Sequence, residues 1–188
     1  EDGDGIQYLI IHTGSRNLGL QVAGIYQNMA GEASEADVPK DLKYLVGEDA
    51  EDYLHDMRIC QEWAWQNRES IAKAIMVGMR VGADDWFQTV HNYIGDDNVI
   101  RKGAISAKAG ERVLIPLNMR DGCLVCTGLG NDDWNNSAPH GAGRTMSRKK
   151  AKQTLDVDDF RAQMTEVYST TICEATLDEA PDAYKPAQ

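Results

Sequence analysis

The chain has 188 residues, 42% hydrophobic and 26% charged, with a formal net charge of −11. That length can bury the core of one domain, and no apolar run approaches the roughly 20 residues of a membrane-spanning helix, so no membrane is expected as a partner. The acidic balance excludes indiscriminate nucleic-acid binding, because like charges repel phosphate at long range.

The opening EDGDGIQYLIIHTGSR carries acids where a secretory signal carries cations, which predicts a cytoplasmic protein. Within it Gln7 to His12, bounded by Gly5 and Gly14, reads as a buried strand that delivers His12 to its end. Leu18 to Ala30 reads as a helix, with Leu18, Val22, Ile25 and Met29 at helical spacing. The acidic stretch from there to Asp52, with Pro39 inside it, reads as a surface insertion. Asp52 to Met79 is the clearest helix, carrying Leu54, Met57, Ala64, Ile71, Ile75 and Met79, with His55 on its surface.

TVHNYI is a β-favouring run that carries His91, and the charged segment IRKGAISAKAG follows it. ERVLIP predicts a strand ended by Pro116, and Gly122 to Gly128 another. Gly128 to Asn136 reads as a loop leading into NSAPHGAGRTMSR. Ser147 to Thr154 then reads as a helix start and Asp158 to Glu174 as a further helix, before an irregular DEAPDAYKPAQ. The sum is an α+β chain of mixed β-sheets with packed helices. Cys60, Cys123, Cys126 and Cys173 are expected as free thiols, since the CxxC at Cys123 has no second pair to complete a zinc site.

Charge is unevenly spread: Glu32 to Asp56 holds nine acids, whereas Arg144 to Lys152 holds five cations and no acid. Cations in the first turn oppose the helix dipole, unless an anion docks where they and the backbone N–H groups converge. Three of the four histidines, His12, His91 and His140, stand in polar or glycine-bearing contexts. One such histidine is most simply a hydrogen-bonded turn residue, but three together point towards a metal or phosphate site. Gly141, Ala142 and Gly143 leave backbone bare for a phosphate or nucleotide. Arg16, Arg144 and Arg148 offer planar forks for phosphate oxygens, or plain surface ion pairs.

The motifs HTGSRNLG, HNYI, RKGA, NSAPHGAGRTMSR and DEAPDAYK, in this order, resemble the RtcB family of RNA-splicing ligases. The resemblance implies an RtcB-like fold, with 1–188 as the central and C-terminal portion of a single catalytic domain. It implies a GTP-dependent, manganese-dependent ligase that joins an RNA 2′,3′-cyclic phosphate or 3′-phosphate end to a 5′-hydroxyl end. It gives His140 the role of guanylylated nucleophile and His12 and His91 that of manganese ligands. His91, Asn92, Pro116, Leu117, Asn118, Met119, Cys123, His140, Gly141, Ala142, Gly143 and Tyr184 correspond to the nucleotide-binding positions. An archease-type activator is left open as a further partner.

The chain departs from the family pattern in PLNMRDG, where Leu117 and Asn118 replace a glycine and a serine, and at Cys123, where a serine is expected. The resemblance also calls for an aspartate, a cysteine and an Asn-His-Phe segment upstream of Glu1, and a lysine beyond Gln188. The expectation is therefore that these 188 residues do not form the full two-metal site and do not ligate RNA alone. A homologue that only binds nucleotide or RNA, and a metal-dependent phosphoesterase using the same histidines, are the alternative readings.

Overall fold

Apolar residues at helical spacing commit the first part of the chain to two helices, α1 (Arg16–Ala33) and α2 (Gly47–Met79). The computed structural model describes residues 5–33, 38–39 and 42–186, in two units, Glu1–Trp86 and Phe87–Gln188. Helix α2 begins five residues before the expected Asp52, because Glu48 and Asp49 supply the negative charge that a first turn favours. It stops where Arg80 turns left-handed (φ 58°, ψ 40°), and the Val81 N–H closes back on the Met76 carbonyl at 3.1 Å. Small buried residues, Ala30, Cys60 and Ala64, make the core of this unit. Tyr26 Oη donates to Asp56 Oδ2 at 2.8 Å between the two helices. No helix among the described residues is long and apolar enough to cross a membrane.

The strand expected at Gln7 to His12 does not form. The segment carries no regular secondary structure, with Tyr8, Leu9 and Ile10 all more than 40% exposed. Both sheets of the described chain are built from residues 91–139. A short apolar run has strand character only where a ladder receives it. Part of the acidic stretch read as an insertion, residues 34–37, 40 and 41, lies outside the described residues, as do 1–4 and 187–188.

The second unit holds two sheets, both antiparallel where mixed sheets were expected, because short turns join neighbouring strands only in the antiparallel sense. One has the order β1-β2-β5, from β1 (His91–Ile94), β2 (Ile100–Ser106) and β5 (Ser137–Pro139). The other pairs β3 (Arg112–Asn118) with β4 (Gly122–Thr127). Ile105, Ala107 and Val113 are buried between them, with Ile115, Cys126 and Ala138 packed alongside. Gly128 lets the chain pass beside β2's exit: its N–H donates to Glu111 O at 2.7 Å, and a Cβ there would run into the Lys108 carbonyl.

Strand β2 was not anticipated, because its buried position 101 is an arginine and breaks the apolar alternation. Strand β3 continues past Pro116, the expected stop, to Asn118. A two-stranded sheet has only edge strands, where a missing N–H is tolerated, and the register slips between Pro116 and Asn118. The helix expected over Asp158 to Glu174 is only α4, Val157–Gln163, which follows α3 (Arg148–Thr154). Asp156 caps its start by accepting from the Asp158 and Asp159 N–H groups. Beyond Gln163, the β-branched and hydroxyl run of Thr165, Val167, Ser169, Thr170, Thr171 and Ile172 does not sustain a helix. Phe160 and Met164 instead pack on Leu177 and Ala180, which brings DEAPDAYK back over α4. All four cysteines are free thiols, as expected.

Candidate active site

Strand pairing sets two of the three candidate histidines side by side. His91 opens β1 and His140 follows β5, on opposite flanks of β2. Their half-buried rings lie with centroids 4.8 Å apart, tilted by 34°. Gly103 on β2 makes the room: at φ 71° its bare Cα faces the ring, and an added Cβ would sit 3.7 Å from both Cδ2 and Nε2 of His140. The His140 N–H donates to the Gly103 carbonyl at 3.3 Å.

Asn92 fixes the partner ring. It occupies a left-handed conformation (φ 60°) at the register slip between His91 and Tyr93, so its side chain turns back onto the sheet. The Gly103 N–H donates to its Oδ1 at 3.0 Å. That assigns the other amide atom as the NH2, which stands 2.8 Å from His91 Nδ1. Since an NH2 only donates, Nδ1 accepts, and a neutral His91 carries its proton on Nε2.

The turn after His140 is pinned on two sides by backbone hydrogen bonds. The Ala142 N–H donates to the Pro116 carbonyl at 3.2 Å, the Lys185 N–H to Gly143 O at 3.0 Å and the Thr145 N–H to Ala183 O at 3.0 Å. A Cβ at Gly141 would stand 3.1 Å from the same Pro116 oxygen, so glycine is what lets the turn approach β3. The PLNMRDG loop is organised by Asn118, whose Oδ1 accepts from the Arg120 and Asp121 N–H groups, both at 3.0 Å. Met119 packs on the Phe160 cluster. Leu117 is half-buried, and Cys123 pairs with Pro116 across the sheet, where burial pushes its thiol pKa up.

The two downstream arginines are drawn to DEAPDAYK. Arg144 donates to Tyr184 Oη at 3.0 Å and to the Asp178 carbonyl, with its guanidinium 4.7 Å from the Tyr184 ring centroid. Tyr184 in turn donates to Glu179, and burial with that carboxylate raises its phenol pKa. Arg148 binds Asp178 Oδ2 at 2.6 Å and also Glu179, and Lys152 reaches Asp178 Oδ1 at 3.1 Å. Asp178 and Glu179 were not singled out in the sequence, nor was Gly103. A glycine inside a strand is a signal of close backbone approach and could have marked the last.

His12 and Arg16 belong to the first unit, and both are exposed. The Thr13 carbonyl beside His12 accepts from Arg68 Nη1 of α2 at 2.9 Å. Arg16, the first residue of α1, has φ 54°, a conformation that costs a non-glycine residue.

A family model described as "tRNA-splicing ligase RtcB" matches residues 4–188. The chain belongs to the RtcB family. It is similar to the RNA-splicing ligase RtcB of Escherichia coli K12, 30% identical over 95% of this chain and 49% of that protein. It is also similar to the tRNA-splicing ligase RtcB of Nanoarchaeum equitans, 29% identical over 94% of the chain and 46% of the relative. That of Aeropyrum pernix is 29% identical over 97% and 47%. The chain thus spans about half the length of the curated RtcB relatives it matches. Its mixture of helices and small antiparallel sheets is the α+β class expected for an RtcB fragment.

Whether these RtcB residues suit a manganese ion can be judged from the donors. Among the described residues no three His, Cys, Asp or Glu side chains gather where a metal would need them. With Nδ1 of His91 accepting from Asn92, its Nε2 carries the proton, and coordination at either nitrogen needs Asn92 to move. The described residues therefore do not by themselves compose a manganese site.

Proposed function

We propose that this chain carries the nucleotide-accepting part of an RNA ligase that joins a 2′,3′-cyclic phosphate or 3′-phosphate RNA end to a 5′-hydroxyl end, at the expense of GTP. The observation that carries this reading is the His140 ring, set against His91 and bare Gly103 in a chain of the RtcB family. RNA as the substrate class follows the relatives, which are named RNA-splicing and tRNA-splicing ligases.

In this reading a ring nitrogen of neutral His140 attacks the α-phosphorus of GTP. The N–P bond forms, the bond to the bridging oxygen breaks, and pyrophosphate leaves with the electron pair. A 2′,3′-cyclic end is first opened by water, which breaks the O2′–P bond and leaves a 2′-hydroxyl and a 3′-phosphate. An oxygen of the 3′-phosphate then takes the guanylyl group and restores the free imidazole. The 5′-hydroxyl attacks that activated phosphate and GMP leaves.

The residues around His140 have work suited to each step. Gly141, Ala142 and Gly143 let phosphate oxygens lie against backbone, and His91, Asn92 and the Pro116 to Met119 loop with Cys123 wall the nucleotide's side. Tyr184 is the side chain this reading gives to the guanine. Arg144 and Arg148 hold carboxylate and carbonyl oxygens of DEAPDAYK, so they meet phosphate by exchanging one oxygen partner for another. A manganese ion, which the described residues do not by themselves hold, would supply charge neutralisation on phosphate oxygens. An archease-type activator fits this reading as a partner.

Incubating the full-length protein with GTP labelled at the α-phosphate and manganese tests it. Acid-labile label on the protein, absent from His140→Ala, is expected. A full-length protein that takes no label, or one whose His140→Ala variant labels equally, would sink the proposal.

A further inference from the structure

Arg101 is the largest of the fully buried side chains, at 2% exposure, and it is a charged one. A buried guanidinium is costly unless its donors are met, and here they are met by groups that lead to His140. Nη1 and Nη2 form a fork on Asp97, at 3.1 Å to Oδ1 and 2.9 Å to Oδ2. Nη2 also donates to the Asn135 carbonyl at 3.2 Å, and Nε donates to Ser137 Oγ at 3.0 Å. Ser137 Oγ donates onward to that same carbonyl at 2.9 Å. The guanidinium carbon lies 5.9 Å from the Tyr93 ring centroid.

These contacts join the β1–β2 turn, the middle of the sheet and the entry to β5. Strand β5 is only three residues long, pairs with β2 alone, and ends directly at His140. Just before it, Asn135 and Asn136 both hold left-handed conformations, φ 50° and 49°, so the chain is bent sharply where Arg101 grips it. Arg101 and Gly103 also lie on the same strand, so one element fixes both the root of the His140 segment and the surface its ring meets.

We infer that Arg101 is a positioning residue for His140, acting through Asp97, Asn135 and Ser137 to hold the short β5 so that the His140 ring stands between Gly103 and His91. The inference rests on the reading of His140 as guanylyl acceptor. It concerns placement alone: Arg101 contributes no group to the chemistry.

The test compares wild type with Ser137→Ala, Asp97→Asn and Arg101→Lys in the full-length protein. Single-turnover transfer of label from α-phosphate-labelled GTP and the His140 imidazole Cε1–H resonance are both read. A displacement of about an ångström at a reacting group can cost up to ~100-fold. The saturated rate should therefore fall about tenfold in each variant, with half-saturating GTP changed less than about twofold. The His140 resonance should shift while that of His55, in the other unit, stays put. If Arg101→Lys does not fold, Ser137→Ala decides, since it removes one hydroxyl, the acceptor for Arg101 and the donor to Asn135, and little bulk. A Ser137→Ala rate equal to wild type, or a loss carried wholly by weaker GTP binding, overturns the inference. Should wild type itself take no label, the ligase reading fails separately. The resonance then decides: a His140 signal unmoved in Ser137→Ala and Asp97→Asn overturns the positioning role, and a shifted one upholds it.

Discussion

His140 and His91 stand ring against ring, centroids 4.8 Å apart, with strand β2 between β1, which His91 opens, and β5, which leads into His140. Neither neighbour in sequence brings this about. Sheet order places them, and the bare Cα of Gly103 leaves the space.

The pairing gives His140 and His91 separable roles. His140→Ala should remove covalent guanylylation altogether, whereas His91→Ala should slow it and leave label detectable at long times. Time courses with α-phosphate-labelled GTP check this, and label in His140→Ala at the wild-type rate would contradict it.

Asn92 holds two groups and a left-handed backbone at once. Asn92→Ala loses the hydrogen bonds and keeps the unfavourable φ, which should cost about 1–2 kcal/mol of stability. Asn92→Gly loses the bonds but suits the backbone, and should cost less. Urea midpoints order the two variants, and nitrogen shifts should show the Nε2–H tautomer of His91 in wild type only. Alanine costing no more than glycine would contradict the role given to φ.

Arg144 and Arg148 differ in burial, at 23% and 63% side-chain exposure. Arg144→Ala takes a donor from the Asp178 carbonyl and one of two partners from the Tyr184 hydroxyl, which keeps Glu179, and should cost roughly 1–3 kcal/mol. Arg148→Ala takes one of two cations from the buried Asp178 carboxylate, which keeps Lys152 at 3.1 Å, and should cost about 1 kcal/mol. If Arg148 meets phosphate, its loss should depress label transfer out of proportion to that small change in urea midpoint.

Asp97 has its carboxyl held well below the usual range by the hydrogen bonds from Arg101. The folded value lies below the unfolded one, near ~4, so the stabilisation is complete above that pH and is lost as pH falls through the folded value. Asp97→Asn cannot titrate. Its urea midpoint should fall less than that of wild type between about pH 7 and about pH 3.

Two glycines should respond with opposite signs. At Gly128 a Cβ meets the carbonyls of Ala107 and Lys108, and Gly128→Ala should cost more than about 3 kcal/mol. Gly78 stands in α2 with open space around it, and Gly78→Ala should add roughly 0.5 kcal/mol. Thermal unfolding of both variants reads the contrast directly.

Much of the fold was legible where periodicity was clean. Both long helices follow from apolar spacing, and β3 and β4 from β-favouring runs closed by glycine and proline. Misreadings fell where a residue's environment is non-local. The run Gln7 to His12 is as apolar as a buried strand, yet forms none in either sheet. β2 hides behind Arg101, whose charge is buried only because Asp97 and Ser137 meet it. Residues after Gln163 follow local β-branched preference and leave the helix.

The sequence by itself determined which chemistry-bearing residues exist and in what order, since HTGSR, HNYI and HGAGR can be read without coordinates. It also fixed the local backbone wherever glycine, proline or a capping aspartate left one choice. Tertiary structure decided the company each residue keeps. His140 meets His91 through strand order, Arg144 and Arg148 meet DEAPDAYK through packing on Phe160 and Met164, and Arg101, one cation of a charged run, becomes a buried strut. Motif spacing follows the chain, whereas contact and burial are set by which distant segments share a sheet or core, and that is a property of the whole fold.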